Sequence, residues 1–245
     1  MTPALGEDRR QGGAAPDEPL PRRWPDGVAS EIDQQIRSLP LPATQPVREV
    51  RRAYSRRLRA VPAEQMVALA MALVDRQRWV AYELLSHHPG GLACLGAEEV
   101  ERLGRGIDDW GSVDAFGCLV SGPAWRLGRL PDAVVRRWTA SPDRWWRRAA
   151  LVSTVPLNLR SRGGTGDTGR TLDICRRLVA DPDDMVVKAL SWALRQLVVW
   201  DPDAVREFLE VHDEALAARV KREVRTKLDT GRKHASRRAT LPPGR

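Results

Sequence analysis

Apolar residues recur along this chain at intervals of three and four, in segment after segment. Val67, Ala70, Met71 and Val74 form one such stripe; Val187, Leu190, Leu194 and Leu197 form another. That spacing lays apolar side chains along one face of a helix. No stretch alternates apolar and polar positions with period two for long enough to predict a strand. The pattern predicts an all-α protein.

The predicted helices also repeat. Proline- or glycine-led starts fall at "PAEQMV" (Pro62), "GAEEVE" (Gly96), "PDAVVR" (Pro131), "GRTLDI" (Gly169) and "PDAVRE" (Pro202), at intervals of 34, 35, 38 and 33 residues. Each start is followed by a second helical segment, such as "DDWGSVDAFGCLV", "DRWWRRAALVSTV" and "DDMVVKALSWALRQLVV". Helix pairs at this period bury their apolar faces by stacking on one another, so a HEAT-like helical-repeat solenoid is expected. In such stacks the second helix of each pair commonly lines the concave surface. One segment, "NLRSRGGTGDTGR" (158–170), breaks the spacing with four glycines and three arginines. It reads either as a loose connection or as backbone that approaches phosphate closely, as an anion nest or a groove probe.

The ends differ from the middle. Residues 1–26, rich in Pro, Gly and mixed charge, are expected to be a disordered leader, residues 27–229 the solenoid, and residues 230–245 a disordered basic tail. The N-terminus lacks the apolar core of a signal peptide. The longest apolar run, 66–74, falls far short of the roughly 20 residues that span a bilayer. A cytoplasmic protein with no membrane partner is expected.

Composition adds three points. Apolar residues make up 42% of the chain, enough for a substantial core. Cys94, Cys118 and Cys175 are far apart and form no CxxC pair, so neither a zinc site nor a disulfide framework is indicated. They read as small buried hydrophobes in a reducing compartment. The net charge of +8 is unevenly placed: residues 219–245 hold ten Lys/Arg against two acids, which accounts for the whole excess. A second basic cluster lies at Arg48, Arg51, Arg52, Arg56, Arg57 and Arg59, opposed there only by Glu49. Two basic ends around a neutral middle suggest a polyanion held at both ends of an elongated molecule.

Nine tryptophans against two phenylalanines and two tyrosines give tryptophan most of the aromatic duty. Trp79, Trp125, Trp138, Trp145 and Trp200 lie in or beside apolar stripes and read as core. Trp110 is different, because it shares a helical face with Asp114, four residues on. Trp192 is bracketed by Lys188 and Arg195. Arg148 follows Asp114 by 34 residues, one repeat period, which makes the two candidate neighbours across the wall, either as parts of one site or as a structural salt bridge between repeats. His87 and His88, ahead of Pro89-Gly90, read as helix C-terminal capping residues, with no metal role.

The residues "DDWGSVDAFG", "RWWRRAAL", "KALSWALRQL" and "RVKREVRTKL", in that order over helical repeats, resemble the AlkD-like DNA glycosylases of the HEAT-like DNA alkylation-repair family. The likeness covers roughly residues 45–230. It implies a basic concave cleft that grips duplex DNA carrying an N3- or N7-alkylated purine, such as 3-methyladenine or 7-methylguanine. Motif by motif, it places the catalytic carboxylate on Asp114, the active-site tryptophans on Trp110 and Trp192, and the active-site arginine on Arg148. Arg148 is then expected to hold the neighbouring phosphate. Further DNA contacts are expected from Arg51, Arg52, Lys188, Arg195, Lys221, Arg222 and Arg225. The resemblance implies a monomer that needs no metal or organic cofactor and leaves an abasic site. It further implies backbone-side reading without a tight base pocket, and hence tolerance of bulky adducts. Three competing readings remain at this stage: a catalytically silent DNA-binding relative, a HEAT-like scaffold for another protein, and a self-resistance glycosylase against a bulky DNA-alkylating metabolite.

Overall fold

The computed structural model describes residues 24–41 and 43–232. The expected leader, apart from Trp24–Asp26, and most of the expected tail lie outside the described residues. Among those described there is no strand, and no helix is long and apolar enough to cross a membrane. The fold is an all-α helical repeat.

Six helix pairs follow one another among the described residues. They are α1 (Asp26–Arg37) with α2 (Thr44–Arg57), α3 (Ala63–Leu73) with α4 (Arg78–His87), α5 (Ala97–Gly104) with α6 (Trp110–Phe116) and its continuation α7 (Gly122–Arg126), α8 (Asp132–Trp138) with α9 (Arg144–Asn158), α10 (Thr168–Arg177) with α11 (Asp184–Leu197), and α12 (Pro202–Val211) with α13 (Ala218–Thr230). Pro62, Gly96 and Pro131 are the N-cap residues of α3, α5 and α8, and Pro202 opens α12, so the repeat spacing located these starts. The first pair, α1–α2, precedes the first of those starts. The second helices pack in order, α2 on α4, α4 on α6, α6 and α7 on α9, α9 on α11 and α11 on α13. The first helices form the other layer, with α1 on α3, α3 on α5 and α8 on α10. Between the layers lies one core that includes Leu69, Leu85, Phe116, Leu151, Val152, Leu190 and Leu194.

Aspartate caps set the start of α6, α9 and α11. Asp109, Asp143 and Asp183 accept from the backbone N–H of Ser112, Trp145 and Met185 at 2.8–2.9 Å, which satisfies donors that the first turn leaves open. The helix α6–α7 is not continuous α-helix: residues Gly117–Ser121 form a π turn. Glycines bracket it for a packing reason. A Cβ on Gly117 would stand 2.5 Å from Val152 Cγ1, and one on Gly122 2.6 Å from the Ser153 carbonyl oxygen, both on α9. The close approach also allows Ser121 and Ser153 to share a buried 2.7 Å hydrogen bond.

This approach yields a first prediction. In Gly117→Ala the better helix propensity of alanine is worth about 1 kcal/mol. The methyl must enter beside a fully buried, β-branched Val152, and such overpacking costs about 1–3 kcal/mol. Net destabilisation is expected, read as a lower urea midpoint with an unchanged slope. A midpoint equal to or above wild type would mean that α6 and α9 have slack here.

The tryptophans divide. Trp125 and Trp138 are buried, as expected of core. Trp79, Trp145 and Trp200 are only half-buried, each with an arginine guanidinium 4.7–4.9 Å from its ring centroid. Their indoles carry cations at the surface as well as packing on the core. Of the cysteines, Cys175 is buried and Cys118 half-buried. Cys94 is exposed, which corrects the expectation of three buried thiols. α4 ends at His87, where Nδ1 lies 2.7 Å from the Glu83 carbonyl, and His88 Nε2 lies 3.0 Å from the Val61 carbonyl. His87 thus caps the end of its own helix, as expected, whereas His88 ties that end to the connection between α2 and α3.

Candidate active site

The cap at Asp109 places Trp110 as the first residue of α6, where the residue is 62% exposed. One turn on, Asp114 points the same way. From α9, the buried Arg148 meets it with two bonds: Nε donates to Oδ1 and Nη2 to Oδ2, both at 2.9 Å. This is the fork-on-carboxylate geometry that makes arginine pairs strong and directional. Nη1 donates to the carbonyl of Met185, on the first turn of α11. One guanidinium thus joins three successive second helices. Burial pushes the Asp114 carboxyl above the usual aspartate range. The hydrogen bonds and charge of Arg148 oppose that rise without cancelling it, and the nearby Asp109 charge adds to it.

α11 supplies the facing wall. Half-buried Trp192 lies one turn beyond Lys188. Lys188 Nζ pairs with Asp184 at 2.6 Å. Arg195 folds back on its own helix, donating from Nε to Ser191 at 3.1 Å, with Glu223 of α13 3.7 Å away. Trp110, Asp114, Arg148, Lys188, Trp192 and Arg195 line one cleft of about 600 Å³. Its far side is built by Gln196 and by a stripe on α13, Arg219, Glu223 and Lys227. The lining holds five cationic side chains against two carboxylates, which favours an anionic ligand. Burial raises Glu223, but its hydrogen bonds from Ser191 and Arg219 and the charge of Arg195 outweigh that, so its carboxyl lies below the usual range.

Several expected residues stand elsewhere. Arg148 was expected on a phosphate; its side chain is 6% exposed, and Nε, Nη1 and Nη2 each donate to Asp114 or Met185, so its partners in this geometry are a carboxylate and a carbonyl. Arg51 is likewise corrected: it is buried, with Nε 2.6 Å from Glu83. Arg52 is exposed on α2 but does not line the cleft. Lys221 and Arg225 turn to the other side of α13 and pair with Asp213 at 3.1 and 3.0 Å. Arg222 is exposed outside the cleft lining. Arg219, Glu223 and Lys227 were missed, although their four-residue spacing marks a single helical face.

A second tryptophan–carboxylate pair lies one second helix earlier. On α4, Trp79 and Glu83 have the same spacing as Trp110 and Asp114, and Arg51 binds Glu83 from the adjacent helix as Arg148 binds Asp114. The difference is cover. Arg48 lies 4.9 Å over the Trp79 ring and 3.7 Å from Glu83, and the Glu83 side chain is 9% exposed against 21% for Asp114.

A family profile described as DNA alkylation repair enzyme matches residues 43–228, spanning both constellations and the cleft. The chain belongs to that family. No curated protein and no solved structure matches it. Membership makes this a DNA alkylation repair enzyme, with DNA as its partner, and the match covers α2 through most of α13. In this repair enzyme the cleft between α6, α9, α11 and α13 unites an exposed indole, a carboxylate and a cationic wall.

Proposed function

We propose that the protein is a DNA glycosylase that hydrolyses the N-glycosidic bond of cationic N3- or N7-alkylated purines in duplex DNA and leaves an abasic site. The observation that carries this reading is the convergence of Trp110, Trp192 and Asp114 on one cationic cleft, with Asp114 fixed by Arg148.

The chemistry follows from charge. Alkylation at N3 or N7 gives the purine a positive charge. When the bond from C1′ to the base breaks, its electron pair leaves with the purine, which departs neutral. The positive charge then resides on the deoxyribose as an oxocarbenium-like centre, comparable to that in glycoside hydrolysis. No acid is needed to help the base leave. A carboxylate facing that centre stabilises the transition state more than the neutral sugar, which is the condition for catalysis. The faces of Trp110 and Trp192 add attraction for the same developing cation. Water attacks C1′, and its proton passes to Asp114 or to solvent. Arg148 acts as a positioning residue: it holds both carboxylate oxygens and favours their ionised form against the burial that disfavours it. Lys188, Arg195, Arg219 and Lys227 draw the phosphate backbone to the cleft, in place of Arg51, Lys221 and Arg225.

The test is release of 7-methylguanine and 3-methyladenine from methylated duplex DNA. Release of either, with unmodified bases spared, supports the reading. Duplex binding without release from methylated DNA or from DNA carrying bulky N3- or N7-purine adducts would favour a silent DNA-binding protein instead.

A further inference from the structure

The segment 158–170 takes no part in the proposed chemistry, yet it is tightly held. Asn158 Nδ2 donates to the Thr154 carbonyl and to Thr171 Oγ1 at 3.1 and 2.8 Å, while its Oδ1 accepts from the Asp167 N–H at 2.9 Å. The N–H groups of Gly163, Gly164 and Gly166 donate to the carbonyls of Arg160, Leu159 and Leu157 at 3.0–3.1 Å. Trp200 underlies the turn, donating from Nε1 to the Asn158 carbonyl at 2.7 Å, with the Arg160 guanidinium 4.7 Å over its ring. A loose connection has none of these ties. A backbone anion nest is excluded as well, because these glycine N–H groups already have partners inside the loop.

What the loop presents outward is arginine. Gly163 has φ +76°, a conformation that glycine adopts without strain. Its missing side chain leaves room for Arg126, at the end of α7, whose guanidinium lies 3.3 Å from where a Cβ would stand. Arg126, Arg160 and Arg162 are all exposed. Among the described residues none of the three has a carboxylate partner. The loop's one acid, Asp167, caps α10 and faces Arg170 at 3.5 Å. The turn that carries Arg162 packs, through Gly163, beside Arg126, at the far end of the α6–α7 run whose first turn enters the cleft. Arg126 follows Asp114 by twelve residues of the same helical run, about 18 Å at 1.5 Å per residue. That is too far to touch the nucleotide at Asp114 and suited to one further along.

We infer that Arg126 and Arg162 form a second DNA-backbone site, held rigid by the 158–170 loop, that binds phosphodiesters flanking the target nucleotide. Arg160, stacked on Trp200, fixes the turn between them. This inference rests on the DNA-binding part of the proposed function.

The experiment is a salt titration of binding to an undamaged, fluorescently labelled duplex, read by anisotropy, which does not depend on excision. Wild type is compared with R126A/R162A and R126K/R162K. Each phosphate contact contributes roughly 0.9 to the slope of log K against log salt, so the alanine pair is expected to lower that slope by about two and to weaken binding by about tenfold or more. The lysine pair keeps the slope, because lysine also neutralises phosphate. An alanine pair with wild-type slope and affinity overturns the loop site while leaving the proposed function standing. Loss of slope in the lysine pair as large as in the alanine pair also overturns it, since the effect would then be structural. A wild type that does not bind duplex DNA overturns both readings.

Discussion

Asp114→Asn is expected to lower the rate of alkylpurine release by about a hundred- to a thousandfold while duplex binding persists. The asparagine side chain fills the same space but carries no charge. Its one carbonyl oxygen can still accept from Arg148, and the amide turns a donor toward the other guanidinium nitrogen, where both carboxylate oxygens now accept at 2.9 Å. Two roles are lost together: stabilisation of the sugar cation and orientation of water. The first sets the magnitude, because the leaving purine is neutral and needs no proton, so bond breaking is limited by the charge left on the sugar. Single-turnover release on methylated duplex, with binding measured separately, checks this. Release at the wild-type rate would keep the glycosylase and remove Asp114 from its centre.

Arg148→Met has the second large effect, and it acts on pH as well as on rate. The arginine lowers the Asp114 carboxyl while burial raises it, so its removal moves the carboxyl further up. The ionised form is the one that stabilises the cation. In wild type, activity should fall with decreasing pH through a limb lying above the ordinary aspartate range. In Arg148→Met that limb moves to higher pH, and raising the pH recovers part of the rate. A role for Arg148 in packing alone predicts a lower rate with the limb unmoved. Stability drops too, because the change removes one partner of a pair joining α6, α9 and α11. Breaking a buried pair costs about 3–5 kcal/mol, and the partly exposed Asp114 places this case near the lower figure.

The sequence carried the repeat and the identity of the cleft's centre, for reasons that are local. Caps and apolar stripes depend on neighbours a few residues away, so the starts at Pro62, Gly96, Pro131 and Pro202 were legible. The π turn was not, because Gly117 and Gly122 take their meaning from Val152 and Ser153 on another helix. The α13 residues were selected for charge, whereas cleft lining is decided by the rotation of α13 against α11, which favours Arg219 and Lys227 over Lys221 and Arg225. Arg51 was misread for want of its partner. A usable signal existed: Arg51–Glu83, Asp114–Arg148 and Arg147–Asp181 are separated by 32 to 34 residues, close to one repeat. A charge with its opposite one period away is a candidate joint between helices before it is a candidate ligand contact.

The paired constellations on α4 and α6 give the repair enzyme an economical origin for its chemistry. At Glu83 the acid–arginine bond is a sealed seam between neighbouring helices, roofed by Arg48 on Trp79. At Asp114 the same seam has no roof, and its indole faces outward. On the proposed mechanism the reactive carboxylate is therefore part of the masonry: its position is as stiff as the contact between α6, α9 and α11. Flexing of the stack by a bound duplex would then be transmitted directly to the distance between carboxylate and sugar.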